Sequence, residues 1–192
     1  MTVLITIPHG KPEATGHLHD QGAIEMLPLL SAALRTQDIE FDVIVGKNNR
    51  SLIDLNRNEA KNTDFIKEFR EALKNATVHI DLHSYPYLEE HATNEEAITK
   101  QGYDLREWGL ADVVVFDIEE VTNQELMDAL IESMEGCCQI DQIDAGYENY
   151  LTIVASSLFD VPSILVELNE SSRRQYSQIA EAVADSLVAF VS

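Results

Sequence analysis

Sulfur and positive charge are both scarce in this sequence. Its two cysteines, Cys137 and Cys138, are neighbours, poorly placed to bridge one another, so neither a disulfide framework nor a CxxC zinc or redox motif is available. The thiols are expected to be reduced, and they read as ordinary small residues following a helix. Lys and Arg number 13 against 34 Asp and Glu, a formal charge of -21. That balance repels phosphate backbones and anionic membrane surfaces, so neither nucleic acid nor membrane is an expected partner. The acids are dispersed along the chain and read as a solvated surface suited to a salty medium, not as an interaction tail. The opening "MTVLITIPHG" has no basic leader and its apolar run ends after a few residues, so it reads as neither signal peptide nor anchor, and a cytoplasmic protein is expected. Internal repeats, low-complexity segments and obvious linkers are lacking as well.

What is present is a chain of 192 residues, 45% hydrophobic, long enough to bury a real core as one domain over 1–192. Apolar runs of strand length alternate with stretches of helical period. "VLITIP" (3–8), "FDVIV" (41–45), "VHIDL" (78–82), "VVVF" (113–116) and "PSILVEL" (162–168) read as strands. "IEMLPLLSAAL" places Ile24, Leu27, Leu30 and Leu34 on one helical face, with Pro28 expected near the first turn or at a kink. In "TDFIKEFREALKN", Phe65, Ile66, Phe69, Ala72 and Leu73 line one face and Thr63 is the expected cap. Thr122 opens a capping box for a helix ending at Met134, and Ser172 one for a helix whose Tyr176, Ile179, Val183, Leu187 and Phe190 face the core. A further helix is expected within 145–159, with Tyr147 and Tyr150 packing on it. This alternation predicts an α/β fold, a three-layer αβα arrangement around a mostly parallel sheet.

In open α/β sheets, ligands bind beyond the carboxyl ends of the strands, and three polar residues stand there. His9 follows the first strand, His83 ends the third, and Glu167 closes the otherwise apolar "SILV" of the last. Asp81, two residues before His83, lies on the same side of its strand and is suited to orient the imidazole. Two histidines with a carboxylate and one open position form the usual composition of a catalytic zinc site, with a further glutamate as the base for the attacking water. The intervening carboxylate comes from "HGKPEATGHLHD", where Asp20 and Glu13 compete. Asp20 is better placed because it precedes a helix start, although that position also suits a simple N-cap; His17 and His19 offer nitrogen alternatives.

The stretch "GKNNRSLIDLNRNEA" reverses the local field. Lys47, Arg50 and Arg57 fall within eleven positions holding one acid, Asp54. In so acidic a chain, guanidinium groups there suit a substrate carboxylate, which they grip through two parallel hydrogen bonds; a surface salt bridge is the competing explanation.

"PHG" closing the first strand, "DLNR" after an arginine, "DLHS" closing a central strand and "VELNES" near the C-terminus, in this order, resemble the N-formylglutamate amidohydrolase family, related in fold to zinc carboxypeptidases and aspartoacylase-like deacylases. The resemblance spans residues 8 to 175 and implies a zinc-carboxypeptidase-like mixed sheet and one zinc ion per chain. It implies His9, Asp20 and His83 as ligands, with Glu13 the rival of Asp20. Glu167 would be the general base and then the proton donor. Arg57, with Asn56, would hold the substrate's carboxylate or polarise its carbonyl, and Arg50 would assist. The expected activity is hydrolysis of a small N-acyl amino acid bearing a carboxylate, such as N-formylglutamate. A carboxypeptidase-like peptide or peptidoglycan-stem hydrolase, and a metal-free carboxylate-binding module, are the alternatives. The chain is shorter than typical members of the family, and the sequence leaves the oligomeric state open.

Overall fold

The computed structural model describes residues 1–12, 19–85, 99–100, 103–104, 111–144 and 149–191. Six strands form one sheet: β1 (Thr2–Ile7), β2 (Glu40–Val45), β3 (Val78–Tyr85), β6 (Val113–Asp117), β7 (Ile140–Asp144) and β8 (Ser163–Asn169). Two short strands, β4 (Thr99–Lys100) and β5 (Tyr103–Asp104), pair with each other apart from it. The order across the sheet is β2-β1-β3-β8-β6-β7. Every neighbouring pair is parallel except β6 with β8, so the sheet is mixed and mostly parallel.

Helices α1 (Gln21–Thr36), α3 (Gln124–Met134) and α5 (Tyr176–Val191) cover one face; α2 (Asp64–Leu73) and α4 (Tyr150–Ile153) cover the other. The β-branched and leucine-rich strands are buried on both sides, as parallel sheets require. On the first face Val3, Ile5, Ile7, Ile80 and Val166 meet Met26, Leu30, Leu34, Leu130 and Ile179. On the second, Leu4 and Leu55 meet Phe65, Phe69 and Leu151, while Val114, Phe116 and Leu165 pack around Tyr85. The three-layer αβα arrangement expected from the alternation is thus present. No helix among the described residues is long and apolar enough to cross a membrane.

Several local expectations are corrected. Thr122 does not cap α3: its hydroxyl donates to the Phe116 carbonyl and accepts from the Ile118 amide. Asn123 is the cap, its Oδ1 accepting from the Leu126 amide, because an Asx side chain at that position reaches the third amide of the first turn. Ser172 lies inside a 3-10 turn (Glu170–Gln175) that precedes α5, and its hydroxyl donates to Asp112. Pro28, expected near the first turn or at a kink, sits within α1 beyond its first turn and is exposed. Strand β7, "IDQID", was not read from the sequence; it is an edge strand whose acids break the apolar run. Thr63 does cap α2, accepting from the Ile66 amide. Within 149–159, α4 passes directly into a π turn at Val154–Leu158.

The turn that carries His9 is held by a close backbone approach. The Gly46 amide donates to the Ile7 carbonyl at 2.8 Å, and a Cβ at Gly46 would lie 1.8 Å from the Pro8 carbonyl oxygen. Only glycine lets the end of β2 pass so near the end of β1. Gly46→Ala is expected to cost about 3 kcal/mol in urea unfolding and to displace His9, which metal-binding measurements on the folded fraction would register as weakened affinity.

Candidate metal centre

β3 alternates strictly. Val78, Ile80 and Leu82 enter the apolar core under α1 and α5, so His79, Asp81, His83 and Tyr85 point to the opposite face. β8 repeats the pattern, and His83 pairs in register with Glu167. Their Cα atoms are therefore one strand spacing apart, about 4.8 Å, with side chains on the same face. The strands run on through Tyr85 and Asn169, so His83 and Glu167 lie inside β3 and β8 and not at their ends. His9 stands just past β1, and Asp20 at the start of α1, where the Asp20 amide donates to the His9 carbonyl at 3.0 Å.

These elements bring His9, Asp20 and His83 together. One side-chain donor atom from each lies within 4.8 Å of the other two, and all three residues are buried. Asp20 makes no capping hydrogen bond. Its Oδ2 instead faces His83 Nδ1 at 2.9 Å and His9 Nδ1 at 3.3 Å. The cap it forgoes is replaced from across the fold: the Gly22 amide donates to Ser84 Oγ at 3.0 Å and Glu170 Oε1 at 3.2 Å.

The other ring nitrogen of each histidine is occupied by a carboxylate. His9 Nε2 lies 2.8 Å from Asp54 Oδ1, and His83 Nε2 lies 3.1 Å from Asp81 Oδ2. An ionised carboxylate only accepts, so an imidazole bonded to these acids donates through Nε2–H; Asn56 Nδ2 also lies 3.0 Å from His83 Nε2. In the neutral imidazole both Nδ1 atoms then present bare lone pairs, aimed at a carboxylate oxygen. Neither Nδ1 makes a hydrogen bond of ordinary geometry. Three acceptors converging in a buried space repel one another unless a cation lies between them. Without a metal the cation is a proton: burial works against charge on His83, but Asp81 and Asp20 outweigh it and push the imidazole up to about 10. The donor set and its orphaned lone pairs fit a divalent ion held by two imidazoles and one carboxylate, each imidazole braced by a second acid.

Asp81 is the junction of that bracing. Its Oδ2 also accepts from Asn56 Nδ2 at 3.0 Å and Asn149 Nδ2 at 2.9 Å, and its Oδ1 accepts from Thr6 Oγ1 at 2.7 Å. Burial raises the Asp81 carboxyl, yet His83, His79 and Thr6 more than reverse this and hold it at about 2. Asp54 joins the centre to the basic stretch. Arg50 and Arg57 each approach its Oδ2 at 3.7 Å, and its Oδ1 accepts from the Asn56 amide at 2.9 Å. Burial opposes its charge, but the hydrogen bond and charge of His9, with Arg50 behind, hold the carboxyl well below the usual range.

Of the residues singled out in the sequence, His9, Asp20, His83 and Glu167 are buried at this edge, and Arg50 and Arg57 flank it. Asn56 is buried with its amide on Asp81 and its Oδ1 accepting from the Leu151 amide, which places it beneath the centre. Lys47 is exposed, and His19 bonds Gln21 outside the cluster. Glu13, His17 and Tyr147 lie outside the described residues. Sequence reasoning missed Asp54 as a brace, although it opens "DLNR", and it missed Asn149, Thr6 and His79 entirely.

With this geometry in place, comparison with known proteins is informative at the level of fold. No family model and no curated protein matches the sequence. Among solved structures, N-formylglutamate amidohydrolase from Ralstonia eutropha superposes with a TM-score of 0.59 at 13% identity, over 97% of this chain and 94% of that one. The fold is that of the metallo-carboxypeptidase and N-formylglutamate amidohydrolase structures. A metallo-carboxypeptidase from Burkholderia cenocepacia gives 0.59 at 13% identity over 99% of this chain; this chain spans 56% of that protein's length, little more than half. The N-acetylmuramyl-L-alanine amidase of Mycobacterium smegmatis gives 0.53 at 12% identity, over 100% and 96% of the two chains. Within the carboxypeptidase-like fold, the candidate centre lies at the carboxyl ends of β1 and β3, with Glu167 beside it on β8.

His79 sits below the junction, its Nε2 2.9 Å from Thr6 Oγ1 and its Nδ1 2.7 Å from Ser163 Oγ. Full burial pushes this imidazole down to about 4. Its folded-state value is thus below its unfolded one, so its stabilisation is complete above pH 6.5 and is lost as pH falls towards 4. Between pH 7 and pH 5 its contribution should fall by about 2 kcal/mol. Urea unfolding of the wild type and His79→Gln at both pH values checks this, the variant lacking that part of the slope. Asp54→Asn, measured by competition with a chelator, is expected to weaken the affinity of the centre for an added divalent metal by about 10- to 100-fold while leaving the fold intact.

Proposed function

We propose that the chain is a zinc-dependent amidohydrolase cleaving the amide bond of a small N-acyl amino acid that carries a carboxylate, with N-formylglutamate as the representative substrate. The observation that supports this most is the convergence of His9 Nδ1, His83 Nδ1 and Asp20 Oδ2 on one buried point, beside a glutamate and a pair of arginines. Zinc bound there would polarise the scissile carbonyl and bring the pKa of a water to about 7.

The protein's own groups supply the rest. Asp54 and Asp81 hold the two imidazoles in the Nε2–H form, so their Nδ1 lone pairs face the ion. Glu167, in register with His83 on the same face, takes a proton from the attacking water and returns it to the departing nitrogen. The C–O bond forms as the C–N bond breaks, and the carboxyl ends in its starting state. Arg57 holds the substrate carboxylate or faces the developing oxyanion, and Arg50 assists it. Both guanidinium groups are aimed by Asp54. Asn56, expected beside Arg57 at the substrate, also braces Asp81 from below, its amide on Asp81 and its Oδ1 accepting from the Leu151 amide.

The match to the muramyl-alanine amidase along nearly its whole length favours a second reading, hydrolysis of a peptidoglycan stem amide by the same groups. A screen of N-acyl amino acids against muropeptides, ordered by length, separates the two.

The first experiment is elemental analysis of the purified protein beside His83→Ala. About one zinc per chain, lost in the variant, is expected. A native protein that takes up no zinc on reconstitution would point to a metal-free carboxylate-binding module instead. Glu167→Gln should then keep its zinc and lose about 100- to 10,000-fold in turnover on the best amide found; full activity with bound zinc would remove Glu167 from the role of base. Arg57→Ala should raise KM at least about tenfold for substrates with a carboxylate and much less for the corresponding amides.

A further inference from the structure

Cys137 and Cys138 join α3 to β7, both amides donating to the Met134 carbonyl. Adjacent side chains usually diverge, but this turn brings the two sulfurs to 3.6 Å, with the Cys137 thiol donating to Cys138 Sγ. Both residues are half-buried and pack against the edge of the main core. The spacing suits one kind of occupant better than another. Neighbouring Cα atoms are about 3.8 Å apart, below the roughly 4.4 Å from which disulfides ordinarily start, so closing a bond between these sulfurs would strain the turn. Two metal–sulfur arms of about 2.3 Å, as for zinc, span 3.6 Å at an angle of about 100°, near the tetrahedral value.

The surroundings favour a cation. Asp112 is tied to the turn, its amide donating to the Gln139 carbonyl at 2.7 Å and its Oδ2 accepting from the Gln139 amide at 2.8 Å. Burial first, then Cys137 and Asp112, push the Cys138 thiol up to about 12, so an uncompensated thiolate is disfavoured there while a bound positive ion relieves the same field. Strand direction gives the pair its position. Because β6 runs against β8 and β7 follows β6, Ile140 pairs with Val113 and Val113 with Leu168. The thiol turn therefore opens at the same sheet edge as the carboxyl ends of β3 and β8, about two strand spacings, or roughly 10 Å, to the side of Leu168.

We propose that Cys137 and Cys138 form a second metal site, a vicinal dithiolate that chelates one soft, thiophilic divalent cation independently of the His9, Asp20 and His83 centre. Binding breaks two S–H bonds, forms two metal–sulfur bonds and releases two protons to solvent, with no change of oxidation state. Uptake consequently strengthens as pH rises.

Titration of the full chain with Cd2+ at pH 8, followed by thiolate-to-cadmium charge-transfer absorption, tests this. The expected result is a band saturating at one thiol-bound cadmium per chain, unchanged in His83→Ala and lost in Cys137→Ser/Cys138→Ser. Each single serine variant should bind at least about tenfold more weakly, since the second sulfur acts at high effective concentration. No band in the wild type, a band saturating at one cadmium per two chains, or single variants that bind like the wild type would each overturn the proposal.

Discussion

Three acceptor atoms meet at one buried point, and their mutual repulsion is the constraint that the rest of this edge of the fold answers. Two imidazole lone pairs and a carboxylate oxygen are tolerable together only around positive charge. Asp54 and Asp81 draw the imidazole protons to the outward nitrogens, which turns the Nδ1 lone pairs towards the shared point. A site built this way suits a cation that prefers nitrogen and oxygen, and with none present His83 holds a proton against the pull of burial.

Asp81 shows how such a site is anchored. Thr6 belongs to β1, Asn56 to the segment after β2, His83 to β3 itself and Asn149 to the cap of α4. A buried carboxylate unsupported by donors would be costly; here charge-assisted hydrogen bonds from four parts of the chain offset that cost. The same contacts tie the sheet's central strands to the layer formed by α2 and α4, so the bracing of the His83 imidazole and the packing of the second face are one structure. Asn149 does this while also capping α4 through its Oδ1.

The sequence carried much of this and missed the rest for definable reasons. His9, His83 and Glu167 were legible because each follows or interrupts an apolar run near the carboxyl side of its strand, and those sides of parallel strands share an edge. Asp20 was legible as a carboxylate at a helix start, but that it faces the two imidazoles instead of capping α1 is visible only in the fold, since both uses place an acid at the same position. Asp54 was visible as the lone acid among basic residues, yet its bond to His9 joins positions 45 apart, and no local pattern encodes that. Thr6 and His79 are polar residues in strands that read as apolar, and their partners lie more than 70 positions away. Strand direction was likewise hidden: nothing in "VVVF" distinguishes a strand that runs with its neighbours from β6, which runs against β8.

The strict alternation of β3 has a consequence for how the chain finds its fold. A slip of β3 by one residue against β8 would turn His79, Asp81 and His83 into the leucine and isoleucine layer under α1 and α5, and bring Ile80 and Leu82 to the polar side. Most sheets resist such a shift through apolar patterning alone. In this one the misregistered pairing would also carry the Asp81 carboxylate away from its four donors, so the polar pattern of the site reinforces the apolar pattern in fixing the register of the central strand pair while the chain folds.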